Sequence, residues 1–181
     1  DVDLYPANSL AFAEIQAERG IKGVYYFRAV PQSWDETIIR KIASLGHEIG
    51  YHYESLTTCR GDINKAIQNF QLNLERLRKL VPVTTVCMHG SPMSKYDSRD
   101  LWKKFSYRDY NLVAEPYFDI DYNQVLYLTD TGRKWNGSDV SVRDKVQSKL
   151  VFNVRSTQEL IREIRKGNLP MQVMFTFHPQ R

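Results

Sequence analysis

Cysteine is scarce: the 181 residues hold only Cys59 and Cys87. Two cysteines do not make a disulfide framework, and their separation is not that of paired zinc ligands. Both read as free thiols of a reducing compartment, which points to the cytoplasm. No apolar run approaches the roughly 20 residues that a membrane-spanning helix needs, and no secretory leader pattern is present, so no membrane span is expected. Internal repeats, low-complexity linkers and dense Lys/Arg tracts are also missing. The net charge of +4 is mild, and nucleic acid is not an expected partner. The clusters Arg76-Leu77-Arg78-Lys79 and Arg162 to Lys166 read as solvated helix faces. The chain starts at Asp1, not Met, and stops three residues after His178. That predicts a fragment at both ends whose first strand is largely missing.

What is present is ordinary for a globular protein: 42% hydrophobic and 25% charged residues. The length predicts one domain over 1–181 with a real core. Aromatics make up 12%, mostly through 11 tyrosines. Tyrosine-lined clefts suit sugars, although Tyr is also a common strand residue.

The pattern alternates helix and strand. Helices are predicted over 8–19, with Gly20 as a stop, and over 35–45, where Ile38, Ile39, Ile42 and Leu45 recur at helical spacing before Gly46. The strongest helix carries the stripe Ile63, Ala66, Ile67, Phe70, Leu74 and Leu77, with Asp62 as its cap. A short helix is predicted over 100–105. Ser156-Thr157-Gln158-Glu159 is a capping box that opens a last helix to about residue 165. Strands are predicted over 24–27, 48–53, 84–88, 112–114, 125–128 and 172–177, and a long loop over 129–145. This alternation argues for an α/β fold with mostly parallel strands, in which functional residues gather past the carboxyl ends of strands.

Histidines are as scarce as they are well placed. The four are His47, His52, His89 and His178. They sit in Gly46-His47-Glu48-Ile49-Gly50-Tyr51-His52, Met88-His89-Gly90-Ser91-Pro92 and Phe177-His178-Pro179, each near a predicted strand or its end. Asp1-Val2-Asp3 adds two carboxylates one residue apart. Histidines and carboxylates at successive strand ends are how a barrel-like fold builds a metal-assisted site.

Taken in order, these segments resemble the polysaccharide deacetylases of the NodB-homology class, and in particular a divergent branch similar to the WbmS-type proteins of O-antigen gene clusters. Gly23-Val24-Tyr25-Tyr26-Phe27-Arg28, Tyr53-Glu54 and Thr129-Asp130-Thr131-Gly132-Arg133-Lys134-Trp135 complete the set. The resemblance runs from Asp1 to His178. It implies an irregular (β/α) barrel of the glycoside hydrolase/deacetylase type, a divalent metal ion, most often zinc, and an N-acylated sugar or glycan as substrate.

Residue by residue, the resemblance makes Asp1 the general base and Asp3 a metal ligand. His52 matches the first of two ligand histidines normally four residues apart, but the later position is Leu56, which cannot bind metal. Three substitutes are available, ranked His89, then Glu54, then His47. Glu54 is two residues from His52 and shares its side of an extended strand. His47 reads as a hydrogen-bonded strand-end histidine, and His89 can alternatively contact substrate or hold the base. Asp130, Arg133 and Trp135 resemble the motif that orients the base and walls the pocket, with Trp135 offering a flat face to a sugar ring. Arg133 fits a solvated turn equally well. His178 matches the general acid. Arg28 and Tyr51 are candidate substrate contacts that fit structural roles as well.

The expected chemistry is metal-dependent hydrolysis of a sugar amide, and the resemblance places it in surface polysaccharide biosynthesis. One rival is a metal-dependent phosphoesterase, which would normally carry more histidines and an early His-x-His pair. The other is a glycan-binding relic that kept the cleft and lost its metal with the histidine at position 56.

Overall fold

A computed structural model describes residues 1–131, 134–135, 143 and 145–180. The chain forms two compact units. The first comprises Asp1–Phe118 and the residues after His178; the second is Asp119–His178.

In the first unit, helix α1 (Pro6–Glu18) leads to strand β1 (Val24–Arg28). Helix α2 (Glu36–Ser44) follows, capped by Asp35, whose side chain accepts from the Ile38 N–H at 3.0 Å. Gly46, at φ +88°, turns the chain out of α2 into strand β2 (Glu48–Tyr53). A single turn of helix, α3 (Ser55–Thr58), precedes the long α4 (Ile63–Arg78). As predicted, Asp62 caps α4, accepting from Lys65 N–H at 3.1 Å. Strand β3 (Val86–Met88) is shorter than its sequence suggests. A 3-10 turn over Ser98–Lys103 stands where a short helix is predicted, and another spans Tyr107–Tyr110. The short helix α5 (Pro116–Asp119) follows, and all but its last residue belong to this unit.

Strands β1, β2 and β3 form one parallel sheet in that order. Among the described residues, isolated parallel bridges lie beyond its edges, Val2 to Phe27 and Thr85 to Ala114. The segment around Ala114, expected as a strand, is therefore one bridge. Strand residues alternate faces, and the register aligns Val2, Phe27, Tyr51 and Val86 across the sheet. One face thus carries Val2, Tyr25, Phe27, Ile49, Tyr51, Tyr53, Val86 and Met88, all buried in the main core. The stripe of α4 packs there: Ala66, Ile67, Phe70, Leu74 and Leu77 are buried as the sequence predicts. The opposite face receives Asp1, Asp3, Tyr26, Arg28, Gly50, His52 and Cys87. Gly50 is required there, because a Cβ would come within 2.3 Å of the Tyr26 ring.

The second unit contains β4 (Leu126–Thr129), α6 (Thr157–Arg165) and β5 (Val173–Thr176). Strands β4 and β5 pair in parallel. Half of the predicted capping box is present: Ser156 accepts from Glu159 N–H at 3.2 Å, whereas the Glu159 carboxylate accepts from Arg155 N–H at 2.9 Å, one residue before the cap. Leu126, Leu128, Trp135, Val154 and Leu160 form a separate small core.

The mixed α/β character with parallel strands agrees with the sequence reading. The closed barrel does not: among the described residues the strands form sheets of three and two, without closure. Closure needs each edge strand to pair along its length. The edges of the larger sheet instead meet single bridges.

Candidate metal centre

Three donors converge past the carboxyl end of the first sheet. Asp3 follows the Val2 bridge, His52 lies near the end of β2, and His89 directly follows β3. The backbone N–H of His89 donates to the Tyr53 carbonyl at 2.8 Å, which extends the β2–β3 pairing to the site. Asp3 Oδ1 lies 3.6 Å from His52 Nε2 and 3.4 Å from His89 Nδ1. The two imidazole rings meet edge to face, 5.0 Å between centroids. One donor atom from each of Asp3, His52 and His89 lies within 4.8 Å of the others, so this group can hold a metal ion. A second group, Asp1, His52 and Cys87, meets the same criterion and shares His52. Asp1 Oδ2 is 3.8 Å from His52 Nε2.

The protonation state of His52 suits metal binding. Its Nδ1 lies 2.9 Å from the Cys87 carbonyl oxygen, which only accepts, so Nδ1 carries the proton. Burial, and then the neighbouring His89, hold the His52 pKa well below its ordinary value of 6.5, against an opposing pull from Asp3. The ring is thus neutral, and Nε2 presents a lone pair toward the carboxylates. A backbone carbonyl on the far nitrogen is the usual way a ligand histidine is oriented. Two carboxylates, two imidazoles and a thiol are a donor set that fits a borderline divalent cation such as zinc.

The other sequence candidates divide clearly. His47 is structural: Nδ1 accepts from Gly23 N–H at 3.1 Å and Nε2 donates to the Ala13 carbonyl at 2.9 Å. Glu54, the second substitute ligand, is held by Arg28, whose Nε and Nη2 donate at 3.0 and 2.8 Å, and receives the Ser91 hydroxyl at 3.4 Å. Arg28 therefore anchors Glu54. Tyr51 is not a cleft residue. It is 2% exposed, packs against Phe70 at 5.4 Å between centroids, and accepts from Asn73 at 3.2 Å. The register turns it to the core face, away from His52. Leu56 is buried in the same core.

In the second unit, Asp130 grips His178 twice. Its carboxylate accepts from the His178 backbone N–H at 2.9 Å and meets ring Nδ1 at 2.5 Å. The resemblance makes Asp130 the residue that orients the base; here its carboxylate holds the proposed acid. Trp135 is no exposed sugar platform. It is 8% exposed, stands edge to face with Phe175 and Phe177, and donates to Thr157 Oγ1 at 3.1 Å. An apolar face already covered by two phenyl rings is a core contact. Arg133, and most of the predicted 129–145 loop, lie outside the described residues.

Three residues near the site escaped the sequence reading. Cys87 lies opposite His52 in the register. Its signal was the Cys-x-His spacing to His89, which puts both on one face of an extended strand. Gln180 donates to Asp3 Oδ2 at 3.1 Å and steadies that carboxylate; nothing local in the sequence announces it. Glu115 is fully buried and accepts from Met88 N–H at 3.1 Å, Tyr117 N–H at 2.6 Å and the Tyr53 hydroxyl at 3.3 Å. It ties together the residues that follow His52 and precede His89. Burial pushes its pKa up to about 7, although those hydrogen bonds pull the other way. Its signal was an acidic residue directly after the short apolar run Leu112-Val113-Ala114.

No protein-family model matches the chain, and no curated protein matches it.

Proposed function

We propose that the protein is a metal-dependent hydrolase that removes the acyl group from an N-acylated sugar or glycan. The observation that carries this reading is the convergence of Asp3, His52 and His89 at parallel strand ends, with a second carboxylate, Asp1, 3.8 Å from the same histidine nitrogen. A divalent cation bound there, zinc by its fit to the donor set, supplies Lewis acidity toward the amide carbonyl and acidifies water. Asp3, His52 and His89 hold it, and Gln180 fixes the orientation of Asp3. Asp1 takes the proton from the attacking water. The amide C–N bond breaks, and the resemblance of the ordered motifs, not a placement of the two units, is what assigns protonation of the departing amine to His178. Within its own unit the Asp130 carboxylate meets Nδ1 of that ring at 2.5 Å and so orients it. The sugar substrate rests on the resemblance of the ordered motifs.

The experiment is amine release from N-acetylated monosaccharides, oligosaccharides and nucleotide sugars, with zinc and with a chelator. Zinc-dependent release from at least one class is expected. Release that ignores the chelator, or no release from any class, contradicts the reading.

A further inference from the structure

We propose that Cys87 is itself a ligand of the cation, so that the centre is a mixed carboxylate, imidazole and thiolate site selective for thiophilic divalent metals. The inference rests on the metal reading above and names a donor that reading does not use.

Three observations carry it. The β2–β3 register sets Cys87 directly opposite His52. Cys87 and His89 are two residues apart at the end of β3, which sends both to the site face. A donor atom of Cys87 lies within 4.8 Å of donors from both His52 and Asp1. His52 belongs to both candidate groups, so the two share a donor residue. A thiol at this place changes the chemistry of the centre. On binding, the sulfur–metal bond forms, and the thiol proton leaves to solvent. Carboxylates alone suit magnesium or calcium, whereas a thiolate and two imidazoles favour zinc, cobalt or cadmium.

The test uses the whole chain loaded with Co2+, whose thiolate complexes absorb strongly in the near ultraviolet through sulfur-to-metal charge transfer. The wild type should show that band, and Cys87→Ser should lose it while still binding Co2+. Cd2+ affinity should fall at least about tenfold in the variant. The chain has only two cysteines, so a band that survives in Cys59→Ser must come from Cys87, even if Cys87→Ser does not fold. Co2+ bound without the band overturns the proposal and leaves the metal reading standing. A band lost in Cys59→Ser overturns it as well. Failure to bind Co2+ at all overturns both.

Discussion

The carbonyl of Cys87 sits 2.9 Å from Nδ1 of His52, on the strand that His89 directly follows. One backbone oxygen thus sets the tautomer of the central histidine. Burial keeps that ring uncharged well below pH 6.5. In nitrogen-15 correlation spectra of the metal-free protein at neutral pH, His52 should be protonated at Nδ1 and bare at Nε2. The opposite tautomer would remove its Nε2 from the list of donors.

His89 and Glu54 compete in sequence for the third ligand position, and the geometry separates them. His89→Ala should cost at least about tenfold in zinc affinity. Glu54→Ala should leave zinc binding within about twofold, and should instead lower stability by roughly 1–3 kcal/mol, because the partly buried Arg28 loses its partner. Isothermal titration with zinc and urea unfolding of both variants check this. A Glu54→Ala protein that loses its zinc would reverse the assignment.

Glu115 gives the first unit a pH dependence of its own. Its pKa is raised from 4.5 to about 7 in the folded chain. The folded state therefore keeps this proton over a range where the unfolded chain has released it. The stabilisation is complete below about pH 4.5 and disappears as pH rises through about 7, a change on the order of 3 kcal/mol. Glu115→Gln cannot titrate. The difference in unfolding free energy between wild type and variant, without metal, should move against the wild type as pH rises from 4.5 to 8. A difference that stays flat contradicts the assignment.

Phe70 is fully buried among Tyr51, Tyr53, Trp102 and Tyr110, with centroid separations of 4.9 to 5.7 Å. Phe70→Ala should cost about 3–5 kcal/mol in denaturant unfolding. A loss under 1 kcal/mol would mean that α4 does not hold the core face of the sheet.

Much of this was readable residue by residue. The stripe on α4, the caps Asp62 and Ser156, and the strand Glu48–Tyr53 follow from local periodicity and capping chemistry. The placement of His52 and His89 at strand ends was likewise local information. The barrel was not, because closure depends on pairing between strands distant in sequence, and Ala114 forms a bridge where a strand was expected. Tyr51 and Trp135 look like cleft aromatics in sequence. Only the register and the ring packing show that both face cores. Gln180 reaches Asp3 across 177 positions of sequence, a contact that no local pattern encodes.

The most direct test is the zinc content of the gently purified protein beside Asp3→Ala and His52→Ala, measured by elemental analysis with circular dichroism to confirm folding. About one ion per wild-type chain is expected, with a loss of at least about 90% of it in each folded variant. Wild-type protein that binds no divalent metal, or variants that keep it in full, would contradict a metal centre built on Asp3 and His52.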